Sequence, residues 1–234
     1  MTNPPSTFAE QVLAFNFDLQ PDWSLPPGVE LLYPYDNPET RQTMQEFYRK
    51  YYADQQERVF IFGINPGRFG AGITGVPFTD PIRLEEVCQI PNAFKKRSEL
   101  SSIFVYEFVE AYGGPDAFYQ KFYITSLCPL GFVKNGKNYN YYDDKALQNA
   151  VEPHIVDNIN QQLKIGGTQA VALCMGQGKN YAYFKKLNEK HRFFGKILPL
   201  PHPRWVMQYR RKKMTTFVQS FLDNFAEAEQ LSNR

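Results

Sequence analysis

Apolar and polar positions alternate along the chain in a pattern that predicts strands and helices in turn. Short apolar runs rich in β-branched and aromatic residues are typical of buried strands, and apolar residues three or four positions apart are typical of helices. The predicted strands are 58–61, 122–126, 170–175 and 195–200. The predicted helices are 8–15, 38–52, 93–112, 144–163, 176–190 and most of 204–231, with a proline-rich extended connection over 21–34.

The order of these elements predicts the fold class. Strands that alternate with helices form a parallel sheet, because the connecting helices cover both of its faces. We therefore expect an α/β protein with three layers, α/β/α, around a central four-stranded, mainly parallel sheet. A chain of 234 residues can form such a fold as one domain. We expect a single domain over residues 1–234, with residues 1–55 as a helical N-terminal extension packed on it.

The composition suits a soluble globular protein, with 43% hydrophobic and 21% charged residues. No run of about 18 apolar residues suggests a membrane span. Residues 1–5 lack the basic and apolar regions of a secretory signal. We expect a cytoplasmic monomer without a membrane partner, associated with the nucleoid if the source is bacterial.

Cysteine usage argues against a disulfide framework and against a zinc site. Cys88, Cys128 and Cys174 are odd in number, far apart in sequence and without a CxxC pair. We expect them to be reduced core residues, and we expect neither a metal ion nor another cofactor.

A glycine-rich segment follows the first predicted strand. Five glycines lie between residues 62 and 78, and glycine lets a backbone approach a ligand closely. Ligands of open α/β sheets bind at the carboxyl ends of the strands, where this segment would lie. Asn65 lies near its start and Phe78 at its end. On these features alone, Asn65 could have no role beyond supporting a turn before Pro66, and Phe78 could be an ordinary core residue.

Residues 63–78, GINPGRFGAGITGVPF, resemble motif I of the uracil-DNA glycosylase superfamily. They are most similar to its single-strand-selective monofunctional branch, whose pattern is GMNPGPFG…TGVPF. Ile64 replaces the family's Met and Arg68 replaces its Pro. The match is long enough to be specific, whereas a glycine-rich loop alone would be weak evidence.

Two later segments come in the order that this family requires. Residues 122–130, FYITSLCPL, resemble the strand and turn that carry the base-recognition side chain, with Ser126 where the family usually has Asn. Residues 198–205, LPLPHPRW, resemble motif II, in which the family's HPSPRN is shortened to HPRW around His202. The resemblance extends over about residues 59–205.

The resemblance implies a monofunctional DNA glycosylase that flips uracil, or a 5-modified uracil, out of DNA and excises it in base excision repair. Phe78 would stack on the flipped pyrimidine, and Ser126 would read its edge with one hydroxyl. Asn65 would orient the attacking water, since an amide cannot act as a general base. His202 would donate a hydrogen bond to the departing base anion. No lysine lies in the loop of Asn65, so no lyase step is expected.

Basic residues mark a candidate path for DNA. The net charge is only +2, so overall charge does not identify a nucleic-acid binder. Residues 95–97 and 210–213 are basic clusters, and Lys134 and Lys137 flank a predicted turn. Such clusters are commonly solvated surface, but the second follows motif II directly. The predicted DNA-binding residues are Lys134, Lys137, Asn138, Arg204, Trp205, Arg210, Arg211, Lys212 and Lys213, and the predicted substrate-binding residues are Gly63, Ile64, Gly67, Phe69, Phe78 and Ser126.

Several alternatives stay open. The aromatic segment 138–142 could be an exposed loop that packs locally, or a loop that stacks on unpaired bases. Residues 176–178, GQG, open a predicted helix but lack the full GxGxxG of a dinucleotide site. Three cysteines cannot supply the four ligands of the iron–sulfur cluster found in some branches of the family. The protein could also be a hydrolase of another damaged base or of a nucleoside, or a catalytically inactive module that binds single-stranded DNA.

Overall fold

The computed structural model describes residues 6–233, so the expectation for the N-terminal residues 1–5 lies outside the described part of the chain. The helices are α1 (Phe8–Phe17), α2 (Pro38–Tyr51), α3 (Ala71–Thr74), α4 (Pro81–Glu86), α5 (Leu100–Tyr112), α6 (Pro115–Lys121), α7 (Lys145–Gly166), α8 (Lys179–His191), α9 (Pro203–Tyr209) and α10 (Met214–Ser232). The strands are β1 (Val29–Leu32), β2 (Arg58–Gly63), β3 (Phe122–Ser126), β4 (Gly131–Lys134), β5 (Lys137–Tyr139), β6 (Gly167–Met175) and β7 (Lys196–Leu200).

A four-stranded parallel sheet forms the centre of the fold, which confirms the predicted class. Its strand order is β3-β2-β6-β7, and each neighbouring pair is parallel. The register pairs Gly63 with Ser126 and Met175 with Leu200. The carboxyl ends of the four strands therefore lie along one edge, and the loops that follow them meet there.

Helices cover both faces of this sheet. The ring of Tyr123 lies 5.2 Å from that of Phe8 in α1, and the ring of Phe122 lies 4.8 Å from that of Phe225 in α10. Successive residues of a strand point to opposite faces of the sheet. Helices α1 and α10 therefore pack on opposite sides, which gives the three predicted layers.

The first 55 residues contribute more than helices, which corrects the sequence-based picture of that segment. The stretch predicted to be only an extended connection contains β1, which pairs antiparallel with β4 from Val29 opposite Lys134 to Leu32 opposite Gly131. Strand β4 pairs in turn with β5. This second, three-stranded sheet was not predicted, because β1 meets its partner about a hundred residues further along the chain.

Two predicted helices have different bounds in the structure. The helix predicted from residue 93 begins at Leu100, after an irregular segment. The helix predicted over 204–231 is divided by a 3-10 turn at Arg211–Lys213, which separates α9 from α10. The break coincides with four consecutive basic residues, 210–213.

Candidate active site

A cleft of about 900 Å³ opens at the carboxyl edge of the parallel sheet. The loops that follow β2, β3, β6 and β7 all contribute to its walls. Asn65, Phe78, Ser126 and His202 line it together. The four side chains that the sequence assigned to catalysis and base recognition are thus brought into one cavity, although 137 positions separate the first from the last.

Asn65 is held by the backbone of the segment after β5. Its Nδ2 donates to the carbonyl of Tyr139 at 3.3 Å, and its Oδ1 accepts from the N–H of Tyr141 at 3.2 Å. The first partner can only accept and the second can only donate, so they fix which way the amide faces. Asn65 therefore presents its Oδ1 and Nδ2 in a defined orientation, with a remaining lone pair on Oδ1 available to a water.

A buried network extends from this contact to the sheet. The hydroxyl of Tyr141 donates to Oδ1 of Asn180 at 2.7 Å. Nδ2 of Asn180 donates to the carbonyls of Met175 at 3.0 Å and Gly63 at 3.4 Å. Asn180 is 1% exposed and Tyr141 is fully buried. These contacts join the ends of β2 and β6 to the segment that orients Asn65, so they make the glycine loop rigid where it leaves the sheet.

Phe78 occupies a position that only glycine at residue 63 allows. A Cβ added at Gly63 would lie 2.8 Å from Cε2 of the Phe78 ring. The backbone of Phe78 is left-handed, with φ of 55°, which is uncommon for a bulky residue. Its ring is half-buried and lies 6.0 Å from the imidazole of His202. A strained backbone at a cleft residue is typical of functional positions.

His202 follows β7 and caps the N-terminus of α9. Its Nδ1 accepts from the backbone N–H of Arg204 at 3.2 Å. Burial, and secondarily the charge of Arg204, lower its pKa to about 4. The imidazole is therefore neutral near pH 7. Because Nδ1 is an acceptor, the single ring proton is on Nε2, which makes that atom the donor.

Ser126 ends β3 and is 8% exposed. Asn158 of α7 donates from Nδ2 to the carbonyls of Ser126 at 3.0 Å and Leu127 at 2.8 Å. The backbone at the end of β3 is thus fixed by a buried amide, and Ser126 lines the cleft. Sequence reasoning missed Asn158, because a polar residue on a helix gives no local signal of such a contact.

The predicted binding residues divide into two groups. Those that line the cleft, besides the residues already described, are Ile64, Gly67, Phe69, Lys137, Asn138, Arg204 and Trp205. Lys134 is not among the lining residues, and its ammonium pairs with Asp144 at 3.5 Å. Gly63 does not line the cleft itself, but its lack of a side chain leaves room for the ring of Phe78, which does. Arg210, Arg211, Lys212 and Lys213 are exposed just beyond Tyr209, which does line the cleft.

The structure adds cleft residues that the sequence did not single out. They include Glu99, Ser101, Lys179, Asn180, Gln208 and Tyr209. Tyr209 is 65% exposed. In the aromatic segment 138–142, Tyr141 is buried while Tyr142 lines the cleft, so stacking of this segment on unpaired bases stays a prediction.

The cysteines agree with their predicted state. Cys88, Cys128 and Cys174 are unpaired and buried. Residues 6–233 contain no group of three or more His, Cys, Asp or Glu side chains placed to bind a metal ion together. Within the same residues, every helix is too short or too polar to span a bilayer.

Comparisons with known proteins identify the family. Residues 49–226 match the model of the uracil DNA glycosylase superfamily. The fold is similar to the crystal structure of wild-type SMUG2 from Pedobacter heparinus, with a TM-score of 0.93 and 45% sequence identity over 96% of this chain and 99% of that one. The chain therefore belongs to the uracil DNA glycosylase superfamily and is a DNA glycosylase, an N-glycosidic hydrolase whose partner is DNA.

Proposed function

We propose that this glycosylase excises uracil, and uracil substituted at C5, from DNA in base excision repair, by hydrolysis and without a lyase step. The observation that carries this proposal is the neutral His202, whose Nδ1 is occupied by the N–H of Arg204 and whose Nε2 is left as a donor in the cleft. A donor of this kind suits a base that leaves as an anion.

The reaction breaks the bond between C1′ of the sugar and N1 of the base. The bonding electrons leave with the base, and positive charge develops on the sugar. The Nε2–H of His202 would hydrogen-bond to the oxygen on which the negative charge of the base appears. Such a preorganised donor acts in the transition state more than in the ground state, so it increases the rate.

Asn65 would place the water that completes the reaction. Its amide cannot take a proton, so the water is oriented by hydrogen bonds toward an already cationic C1′. The hydroxyl of the water bonds to C1′, and its remaining proton is released to solvent or to the departing base. The rate then depends mainly on stabilising the leaving group.

Base selection would combine Phe78 and Ser126. The Phe78 ring offers a face for stacking, and it packs closely against Gly63 at the end of β2. The Ser126 hydroxyl is one rotatable donor and acceptor, so it suits the oxygen-rich edge of uracil but specifies it less fully than an amide would.

The test is a panel of labelled oligonucleotides that carry uracil, 5-hydroxymethyluracil, hypoxanthine or xanthine, each single-stranded and paired, followed by alkali cleavage. We expect uracil to be excised fastest. His202→Ala should lower its single-turnover rate at least about a hundredfold while the affinity for DNA changes little. The matched control is His191→Ala, which removes a histidine whose ring stacks on Phe193.

Two results would overturn the proposal. If His202→Ala kept its rate within about threefold of wild type, His202 would not be the donor. If another base were excised much faster than uracil, the protein would be the rival hydrolase of a different damaged base. Binding without any cleavage would indicate a DNA-binding module.

A further inference from the structure

Two arginines share one aromatic ring at the wall of the cleft. The guanidinium carbon of Arg97 lies 3.6 Å from the centroid of the Phe69 ring, and that of Arg68 lies 4.8 Å from the same centroid. Both distances are within the range of cation–π contacts. Arg68 stands where the family pattern has proline, so this arrangement is a feature of this chain rather than of the motif.

Neither guanidinium has a carboxylate partner among the described residues. The ion pairs of residues 6–233 involve neither Arg68 nor Arg97. Nε of Arg68 is buried and lacks a hydrogen-bond partner within the described part of the chain. Two cations close to one ring repel each other, and a buried donor without an acceptor is destabilising. An anion bound beside the two guanidinium groups would offset the repulsion between them.

Glu99 is the acidic residue of this wall, and it does not neutralise the pair. Its pKa is raised by burial and then by the charge of Asp80, while Arg204 acts in the opposite direction. Its carboxylate packs against Gly70, on the inner side of the glycine loop. The charges of Arg68 and Arg97 are therefore left for a ligand.

The cluster lies at the rim of the cleft, where Arg97 is exposed to solvent. Arg68 and Phe69 line it, and the backbone N–H of Arg68 donates to Oδ1 of Asn138 at 3.1 Å. A guanidinium that stacks on a ring keeps its N–H donors in its own plane, at the edges of the stack. Those edges suit the tetrahedral oxygens of a phosphate, whereas a base would compete for the flat face that Phe69 already covers.

We propose that Arg68 and Arg97, held on Phe69, form a phosphodiester-binding site for the DNA strand beside the flipped nucleotide. This inference rests on the proposed function only in placing a flipped nucleotide in the cleft. The site would bind the DNA backbone beside the glycine loop. It is separate from the basic run 210–213 that follows α9.

The test is equilibrium binding to an oligonucleotide with an uncleavable abasic-site analogue, measured over a range of salt concentrations. Arg68→Gln and Arg97→Gln should each weaken binding and lower the slope of log K against log salt by about 0.7 to 0.9, the value for one lost phosphate contact. Arg68→Lys should keep most of the slope because it keeps the charge. Arg49→Gln, at an exposed position of α2, is the control and should change neither quantity.

A scan with methylphosphonates identifies the contact. Neutralising the contacted phosphate should weaken binding by wild type but not by Arg68→Gln. If the methylphosphonate penalties and the salt slope are the same in both proteins, the proposal is wrong. The proposal is also wrong if Arg68→Gln changes which base is excised but leaves affinity and salt slope unchanged. The guanidinium would then contact the base and not a phosphate. Because binding is measured without cleavage, failure to excise uracil would overturn the proposed function and leave this site standing.

Discussion

At the scale of single residues, the orientation of Asn65 restricts what can replace it. Its Nδ2 faces the Tyr139 carbonyl and its Oδ1 faces the Tyr141 N–H. An aspartate would satisfy the second contact but would place a carboxylate oxygen against a carbonyl oxygen in the first. The two backbone contacts therefore require an amide at this position, apart from the water-orienting role that we propose for it.

We expect Asn65→Asp to lower the single-turnover rate of uracil excision by roughly tenfold or more, because the repulsion displaces the segment after β5 and the water with it. Asn65→Ala gives the reference for loss of the whole amide. The measurement is the rate at saturating enzyme over a range of pH. The contrary result is an Asn65→Asp variant that excises uracil as fast as wild type, or faster, at pH values above the pKa of the new carboxyl group. A carboxylate could then act there as a general base, and the hydrogen bond to Tyr139 would be unimportant.

Ser126 is the residue at which the chain departs most clearly from its family. Ser126→Asn should preserve or raise excision of uracil while narrowing the range of bases, since an amide supplies both a donor and an acceptor. Ser126→Ala should relax selection further. The measurement is the ratio of single-turnover rates for uracil and for the next-best base in matched oligonucleotides. Equal ratios in wild type and both variants would show that the hydroxyl does not face the base.

At the scale of elements, local sequence patterns predicted individual strands and helices but did not predict contacts between distant segments. The four parallel strands could be predicted because each contains a short apolar run, and β2 and β3 are buried along their whole length. The β4–β5 turn at Asn135 and Gly136 has positive φ at both residues, and Asn-Gly is a strong hairpin signal. The pairing of β1 with β4 could not be predicted, since neither strand specifies a distant partner by its own pattern.

The candidate site shows the same difference between local motifs and long-range contacts. The sequence could place Asn65, Phe78 and His202 together, as the cleft now does, because each belongs to a contiguous motif. Asn158 and Asn180 were missed, because their roles depend on backbone carbonyls supplied by other strands. Buried side-chain amides that bond to strand ends are therefore residues that a sequence motif does not mark.

The junction of β2 with the glycine loop gives a test of how an element positions a functional ring. Gly63→Ala should displace the Phe78 ring, because the new Cβ would lie 2.8 Å from Cε2 and 3.3 Å from the Thr125 carbonyl oxygen. We expect a lower rate of excision with unchanged affinity for abasic DNA, since stacking on the base is lost while backbone contacts remain. Gly178→Ala, where a Cβ would meet open space, is the control. Equal rates for both variants would mean that Phe78 does not need its present position.

At the scale of the whole molecule, a nearly neutral chain concentrates positive charge beside the cleft. The end of α9 presents Tyr209, the largest exposed apolar side chain among the described residues, and the basic run 210–213 follows it. Val206 and Met207 are buried, so neither can enter a DNA helix. Trp205 lies between the ring of Phe217, at 5.8 Å, and the guanidinium of Arg210, at 4.9 Å, which holds the start of the basic run against α9 and α10.

This arrangement leads to a prediction about the path of DNA across the protein. Replacing Arg210, Arg211, Lys212 and Lys213 together with glutamine should weaken binding to DNA of any sequence and flatten its salt dependence, because each lost phosphate contact releases fewer counterions. The excision rate at saturating enzyme should change much less, since these side chains do not line the cleft. A matched control replaces Lys185, Lys186, Lys190 and Arg192, at the end of α8 and just beyond it, with glutamine. If the first variant keeps the affinity and salt slope of wild type while the control loses them, DNA crosses the face of α8 instead, and Tyr209 lies outside its path.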